Sequence, residues 1–262
     1  MQSRLFLLIA ALTAGMIAGS ATATSDDAIG RPVDLALILL TDVSRSMDAR
    51  EYEMVKEGYK TAFADPEVIK AILNNSKGVA VAYVEFSGKD EFITVKGWDV
   101  LTDAVSARSF GDAVASAARS SSGNTALAPS IKKAVEMLNA DGQGASRRVI
   151  DVASDLPYDG GRAATARDTA VAAGITINAL PIIDDRPIGT FDGHMSYAQW
   201  GNEGAVAFYR NYVIGGPGCF LVEVRDYSAF GEALKRKLLL ELISSPAPTG
   251  VSRTQTAAST AP

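Results

Sequence analysis

The sequence predicts an α/β domain with a mainly parallel β-sheet that is covered by helices on both faces. Three observations indicate this fold class. Nearly continuous apolar runs, which are typical of strands buried on both faces, recur along the chain. Segments with the apolar spacing of helices separate most of these runs. One pair of runs is too close together for a parallel crossover, which adds one antiparallel strand.

The first predicted strand is the run from Val33 to Thr41, in which only Asp34 and Thr41 are polar. Similar runs follow at Val79 to Phe86, Val149 to Ala153, Ile175 to Ile182 and Phe220 to Val224. Helical spacing is found between and after them, at Glu51 to Phe63, Phe110 to Ala118, Leu127 to Leu138, Ala163 to Ala173 and Phe230 to Ile243. This alternation favours parallel pairing, because a parallel neighbour is reached through a long crossover.

The antiparallel strand is predicted from one short connection. Val79 to Phe86 and Phe92 to Lys96 are joined only by the five residues from Ser87 to Glu91. A connection of this length suits a hairpin, so the second of these strands should lie at an edge of the sheet.

Length and charge restrict the class of protein. The chain has 262 residues, which is enough for one large domain, and its formal net charge is −5. Since no long run of Lys or Arg occurs, we expect neither nucleic acid nor an anionic membrane surface as a partner. The single cysteine, Cys219, excludes an intramolecular disulfide.

The two ends of the chain differ in composition from the domain between them. Residues 1–23 contain Arg4, an apolar run and a final Ala-Thr-Ala, which is the order of a signal peptide that is removed on export. The run is shorter than the roughly 20 apolar residues that a membrane span needs, so we expect a periplasmic or secreted protein without a stable span. Residues 24–243 form the predicted domain, with an exposed excursion at 184–203. Residues 244–262, rich in Pro, Thr, Ser and Ala, are expected to be disordered.

Oxygen-bearing side chains follow the first strand where it ends. Asp42, Ser44 and Ser46 come directly after the buried run and before the first helix. Ligands of open α/β sheets bind beyond the carboxyl ends of strands, so these side chains emerge where a site is expected. A carboxylate and two hydroxyls suit Mg²⁺, or another hard divalent cation such as Ca²⁺ or Mn²⁺, better than Zn²⁺ or Cu²⁺.

Two later loops offer further oxygen donors at the same edge. Thr125 precedes the helix at Leu127, and Asp155 follows the strand that begins at Val149. Each has a simpler interpretation: Thr125 as a helix cap and Asp155 as a solvated loop acid. Asp151 interrupts an apolar strand, so we interpret it as a structural acid that needs a charged partner, with Arg147 and Arg148 as candidates.

In this order and at these intervals, the five residues resemble the metal ion-dependent adhesion site (MIDAS) of von Willebrand factor A domains. Longer segments between residues 31 and 243 resemble exported bacterial A-domain proteins of unknown function: Val33 to Ser46, Arg147 to Asp155, Gly174 to Pro181, Val213 to Phe220 and Lys235 to Leu242. The resemblance implies a Rossmann-like, three-layer fold with a mostly parallel six-stranded sheet, one antiparallel edge strand and a metal ion at its top.

The resemblance also implies a role for each residue. Ser44 and Ser46 would bind the metal directly, Thr125 would bind it in a state-dependent way, and Asp42 and Asp155 would compensate its charge. An acidic group of a partner would fill the last position, and we assign Arg45 to partner binding. The chain departs from the pattern at Leu156-Pro157, where A domains usually carry Gly, and a stiffer loop there would shift Asp155 away from the ion.

The predicted function is therefore that of an exported, metal-dependent binding or adhesion module for an acidic protein or peptide. One alternative is a Mg²⁺-dependent hydrolase or phosphoryl-transfer enzyme, since hard-metal sites also polarise phosphates. The sequence has no Asp-x-Asp nucleophile motif and no P-loop, so we predict that it is not an enzyme. A second alternative is a metal-free structural A domain that binds through residues 184–203.

Overall fold

A computed structural model describes residues 31–142, 144–155, 160–183 and 201–243. The predicted signal peptide, the pair Leu156-Pro157, residues 184–200 of the predicted excursion and the predicted C-terminal tail lie outside the described residues. Within these ranges, no helix has the length and apolar character that crossing a membrane requires.

The sheet has five strands in the order β3-β2-β1-β4-β5. They are β1 (Val33–Asp42), β2 (Val79–Phe86), β3 (Phe92–Leu101), β4 (Ala145–Ser154) and β5 (Thr176–Pro181). Strand β1 pairs in parallel with β2 and β4, and β4 pairs in parallel with β5. Strand β3 pairs antiparallel with β2 at one edge. The mainly parallel sheet with one antiparallel edge strand is confirmed.

The sixth strand is not formed as predicted. The segment Phe220 to Val224 lies along β5 but makes only two isolated parallel bridges, Leu221 with Ala179 and Val224 with Ile182. Main-chain hydrogen bonds join the two segments on either side of Pro181, from Val222 N to Ala179 O and from Ile183 N to Val224 O. Because Pro181 has no N–H to donate between them, the ladder is interrupted, and the described sheet has five strands instead of six.

Helices cover both faces of the sheet. One face carries α1 (Ala49–Ala64), α2 (Pro66–Leu73), α3 (Ala104–Ser116) and α7 (Phe230–Ile243), and the other carries α4 (Leu127–Asp141), α5 (Gly160–Ala172) and α6 (Gly201–Phe208). Side chains of β1 alternate between the two cores: Leu35, Leu37 and Leu39 face the first, and Ala36, Ile38 and Leu40 the second. Both faces of β1 are therefore buried, as its continuous apolar run predicts.

Short helical turns flank two of these helices. A π-helical turn at Tyr209–Val213 follows α6, and a 3₁₀ turn at Tyr227–Ala229 precedes α7. Helix α1 begins with a capping box, in which Asp48 accepts a hydrogen bond from Glu51 N and Glu51 accepts one from Asp48 N. The cap residue Asp48 lies four residues after Ser44, so the loop between the site and α1 is short.

Candidate metal centre

The five sequence-predicted donors meet at the carboxyl ends of β1 and β4. Ser44 Oγ lies 3.0 Å from Ser46 Oγ and 2.9 Å from Thr125 Oγ1. Ser46 Oγ donates a hydrogen bond of 2.9 Å to Oδ1 of Asp155. Residues that are 81 and 109 positions apart in the sequence are thereby in contact.

Asp42 stands at the base of this group and is almost completely buried. Its Oδ1 accepts a hydrogen bond from Ser44 N at 2.8 Å, and its Oδ2 accepts one from Ser154 Oγ at 2.6 Å. Burial raises the pKa of Asp42, and the hydrogen bonds from Ser154 and Ser44 act against this rise. The last residue of β4 therefore orients the carboxylate at the end of β1.

Asp155 is also buried, with an exposed fraction of 5%. Besides the bond from Ser46, it accepts a hydrogen bond of 3.1 Å from the hydroxyl of Tyr227 to its Oδ2. Burial and, second, the nearby charge of Asp42 raise the pKa of Asp155 to about 7, while the hydrogen bonds from Ser46 and Tyr227 act against this rise. The site thus brings two mutually repelling carboxylates together away from water.

The simpler interpretations of Thr125 and Asp155 do not fit this geometry. Ala126, not Thr125, occupies the N-cap position of α4, and no side chain caps that helix. The Thr125 hydroxyl contacts Ser44 instead. Since Asp155 is buried and accepts hydrogen bonds from two other segments, it is not a solvated loop acid.

The donor set fits a hard divalent cation. In an octahedral shell of about 2.1 Å radius, neighbouring oxygens are about 3.0 Å apart. The contacts along the chain Thr125, Ser44, Ser46 and Asp155 measure 2.9 to 3.0 Å. The described part of the chain contains no group of three or more His, Cys, Asp or Glu residues that could hold a metal, so the donors at this place are mainly hydroxyls.

Arg45 lies between the two serines and is exposed. Its backbone N donates a hydrogen bond of 3.0 Å to Gly123 O, which links the first site loop to the Thr125 loop. Arg45 is therefore a surface residue of the loop that carries both serines.

Arg119 is a site residue that the sequence motif does not reveal. Its Nη2 donates hydrogen bonds of 2.7 Å to the carbonyl oxygens of Val43 and Ser44. Its Nε donates to Ser121 O at 3.1 Å, within the segment that leads to Thr125. One guanidinium thus joins the loop that carries Ser44 to the segment that leads to Thr125, and it keeps the Ser44 backbone in place.

Glu85 anchors the same second loop from inside the protein. It is fully buried in β2 and accepts hydrogen bonds from Tyr52 OH at 2.8 Å and Tyr83 OH at 3.2 Å. Its other oxygen, Oε2, accepts from Ser120 N at 2.8 Å. A single acid within an otherwise apolar strand was the only sequence signal for this role, and no motif marks Arg119.

A comparison of sequence places the chain in a family without an assigned function. A family model described as "Protein of unknown function (DUF1194)" matches residues 32–246. No curated protein matches the sequence significantly.

Solved structures with the same fold include a pilus adhesin, SpaC of Lactobacillus rhamnosus GG in its open conformation (TM-score 0.53, 17% identity, 80% of this chain and 30% of that chain). A von Willebrand factor type A protein of Catenulispora acidiphila has a TM-score of 0.51 and 15% identity, over 79% of this chain and 42% of that one. Proximal thread matrix protein 1 of the mussel byssus, with a zinc-occupied MIDAS motif, has a TM-score of 0.52 and 16% identity, over 81% and 48%. At these identities the likeness shows the fold, which is that of a von Willebrand factor A domain.

This chain spans less than half of each of these three proteins, so their whole-protein activities do not transfer to it.

Proposed function

The chain belongs to the DUF1194 family, and we propose that it is a binding module that holds a hard divalent cation and presents it to an acidic group of a protein or peptide. Mg²⁺ is the first choice, with Ca²⁺ and Mn²⁺ as further candidates. The observation that carries the proposal is the contact of three hydroxyls with two buried carboxylates that lack a salt-bridging Lys or Arg in the described structure.

Charge is the strongest argument for a cation at this place. Two buried carboxylates in one site repel each other, and taking them out of water costs free energy. Arg119 lies near Asp42, but its side chain donates hydrogen bonds to backbone carbonyls. A divalent cation between Asp42 and Asp155 would neutralise both and convert this cost into binding energy.

The cation would be held by the five residues that meet at the carboxyl ends of β1 and β4, a region called the rim from here on. Ser44, Ser46 and Thr125 would provide neutral oxygens, and Asp42 and Asp155 would provide the opposing charge. When bound, such an ion supplies a concentrated positive charge and a coordination position for an external carboxylate. The mussel protein shows that a MIDAS motif on this fold holds a divalent ion, there zinc.

The partner is inferred from the chemistry of this rim. Ser46 and Thr125 are partly exposed and Arg45 is exposed, so the site is open on the side where they lie. A cation, together with the positive charge of an exposed arginine in the same loop, favours a carboxylate over a neutral group. If residues 1–23 direct export, the acidic protein or peptide would be met in the periplasm or outside the cell.

Binding, and not catalysis, is the activity that we propose. The hydrogen-bond partners of the five donors, within the described residues, are hydroxyls and backbone amides. No imidazole or amine is among them to act as a general base. The hydrolase alternative therefore has no observation in its favour.

The test is magnesium-dependent stability. At a Mg²⁺ concentration of about 100 times Kd, binding adds roughly 2.7 kcal/mol, so we expect Tm to rise by roughly 5–10 °C. Ser44→Ala removes a donor that contacts two other hydroxyls, and this variant should lose the shift. Ser130→Ala is the matched control, because Ser130 is equally buried but bonds only to the carbonyl of Ala126 in its own helix.

A peptide with one glutamate, titrated calorimetrically with and without Mg²⁺, tests the choice of partner. Heat of binding only with Mg²⁺, and none for the glutamine peptide, supports capture of an acidic group. If the Tm of the wild type is the same in Mg²⁺ and in EDTA, the proposed function is wrong.

A further inference from the structure

A second group of charged side chains lies in the core, between the sheet and α7. Lys237 and Glu241, one turn apart on α7, are completely buried. Asp151 of β4 and Asn178 of β5 are also buried, with exposed fractions of 3% and 2%. Sequence patterns suggested Arg147 or Arg148 as the partner of Asp151, but the structure gives this role to Lys237.

The amine of Lys237 is in close contact with two carboxylates. Its Nζ lies 2.6 Å from Oδ1 of Asp151 and 3.0 Å from Oε1 of Glu241. The ring of Phe220 covers the amine, with its centroid 5.0 Å from Nζ. Among the described residues, no donor other than this amine reaches Asp151.

We propose that Lys237 and Asp151 condense into an intramolecular isopeptide bond, with Glu241 as the proton carrier. The new bond joins Nζ of Lys237 to Cγ of Asp151, one Cγ–O bond breaks, and one water leaves. No oxidant, reductant or further reactant is needed.

The protons can be followed through the cluster. Burial acts to lower the pKa of Lys237, but the charges of Asp151 and Glu241 outweigh it and raise this pKa, so the resting form is the ammonium. Burial raises the pKa of Asp151 to about 6, which favours transfer of one proton across the 2.6 Å contact to give an amine and a carboxylic acid. The amine then attacks Cγ, Glu241 accepts a second proton from Nζ, and this proton leaves with the departing oxygen as water.

Position and surroundings favour this condensation over its reverse. The reacting groups are held in contact by a strand and a helix, which replaces an encounter in solution by an intramolecular step. The cluster is buried, and the reverse reaction, hydrolysis, requires a water molecule at the bond. After the lysine has lost its charge, Arg147, whose Nη2 lies 3.9 Å from Glu241 Oε2, still opposes the charge of Glu241.

The assignment to Asp151 and not to Glu241 follows from the contacts. Oε1 of Glu241, which faces the amine, also accepts a hydrogen bond of 2.7 Å from Nδ2 of Asn178. The Asp151 carboxylate is closer to the amine and has no such competing donor within the described residues.

The bond would tie the C-terminal helix to an inner strand. It would link α7 to β4, which pairs with both β1 and β5. A chain with one cysteine has no disulfide for this purpose, so a Lys–Asp bond would be its covalent constraint.

Mass spectrometry of the purified full chain tests the proposal under denaturing conditions. We expect a mass about 18 Da below the value from the sequence, which is the loss of one water. Trypsin should release the peptide from Val149 to Arg162 joined to the peptide from Lys237 to Arg253, because an acylated lysine is not cleaved.

Three variants sharpen the assignment. Lys237→Arg should have its full sequence mass, and Lys235→Arg, which changes a surface lysine on the same helix, should keep the loss. Glu241→Gln should leave a fraction of molecules unlinked. Full mass for the wild type would overturn the proposal even if a variant does not fold, and a loss of water confined to the peptide from Lys237 to Arg253 would assign the bond to Glu241 instead.

Discussion

The rim of the sheet and the core beneath α7 each bury two carboxylates, but only the core provides the cations. In the core, Asp151 and Glu241 meet Lys237, and Arg147 lies near Glu241. At the rim, Asp42 and Asp155 are satisfied by hydroxyls and a backbone amide. The core group is therefore balanced by residues of the chain itself, whereas the acids of the rim have no salt-bridging Lys or Arg among the described residues, which is the basis of the proposed cation site.

The pKa values of the two buried acids reflect this difference. Burial raises both, but the charge of Lys237 opposes the rise at Asp151, which reaches about 6. At Asp155 the next influence is the charge of Asp42, which adds to the rise, and the pKa reaches about 7. Burial alone thus does not distinguish a structural acid from a candidate metal ligand, and the charge of the nearest neighbour does.

The largest effect should come from removing the cation of the core. Lys237→Met leaves Asp151 and Glu241 buried without their common partner and also removes the proposed crosslink. We expect the free energy of unfolding to fall by about 3–5 kcal/mol, measured by urea denaturation. Lys235→Met is the control, since Lys235 pairs with Asp65 and Glu67 at the surface and its loss should cost much less. Equal losses for the two variants would contradict the idea that Lys237 balances buried charge in a way that a surface lysine does not.

A smaller effect is expected from pH at the rim. The pKa of Asp155 in the folded protein is about 7, above the ordinary value of 3.8, so the metal-free fold binds the proton more tightly than the unfolded chain. The resulting stability is complete below about pH 4 and is lost as the pH rises through about 7. As the pH rises from 5 to 8, the ionisation of Asp155 should lower the free energy of unfolding of the wild type in EDTA by roughly 2–3 kcal/mol.

Asp155→Asn removes this titration, so its stability profile should be flatter than that of the wild type over the same range. Asp168→Asn, which changes an acid whose side chain is 70% exposed, serves as the control. Saturating Mg²⁺ should restore wild-type stability most strongly at the upper end of the range, where Asp155 is ionised. Parallel profiles for the wild type and Asp155→Asn in EDTA would refute the assigned titration.

Much of the fold could be predicted because burial leaves a direct trace in the sequence. The run that forms β1 and the run that forms β2 are apolar since both faces of each strand are covered, and the structure gives Val79–Phe86 with the predicted bounds. The segment Phe220 to Val224 has the same composition but forms only isolated bridges. Its ladder with β5 is interrupted at Pro181, which has no N–H to donate, and the apolar pattern alone does not show this break.

The five site residues could be found because each lies at a predicted strand or helix end. The residues that hold them could not, since Arg119 acts by bonding to carbonyl oxygens, which are present at every position of any sequence. The partner of Asp151 was missed for a related reason. Arg147 and Arg148 are near it in the sequence, while Lys237, 86 positions away, is brought to it by the packing of α7 on the sheet.

The smallest effect of the three should come from Arg119, whose hydrogen bonds join the loop of Ser44 to the segment that leads to Thr125 and act as a clamp between them. Arg119→Lys keeps the positive charge but removes the planar guanidinium, whose nitrogens bond to Val43 O, Ser44 O and Ser121 O at the same time. Calorimetric titration should show Mg²⁺ affinity reduced by roughly 10-fold, as is typical when support for metal ligands is removed, with little change in Tm in EDTA. Arg108→Lys on the exposed side of α3 should leave both unchanged. A fall in the Tm in EDTA with unaltered affinity would instead make Arg119 part of the general packing, and the rim would then hold its geometry without the clamp.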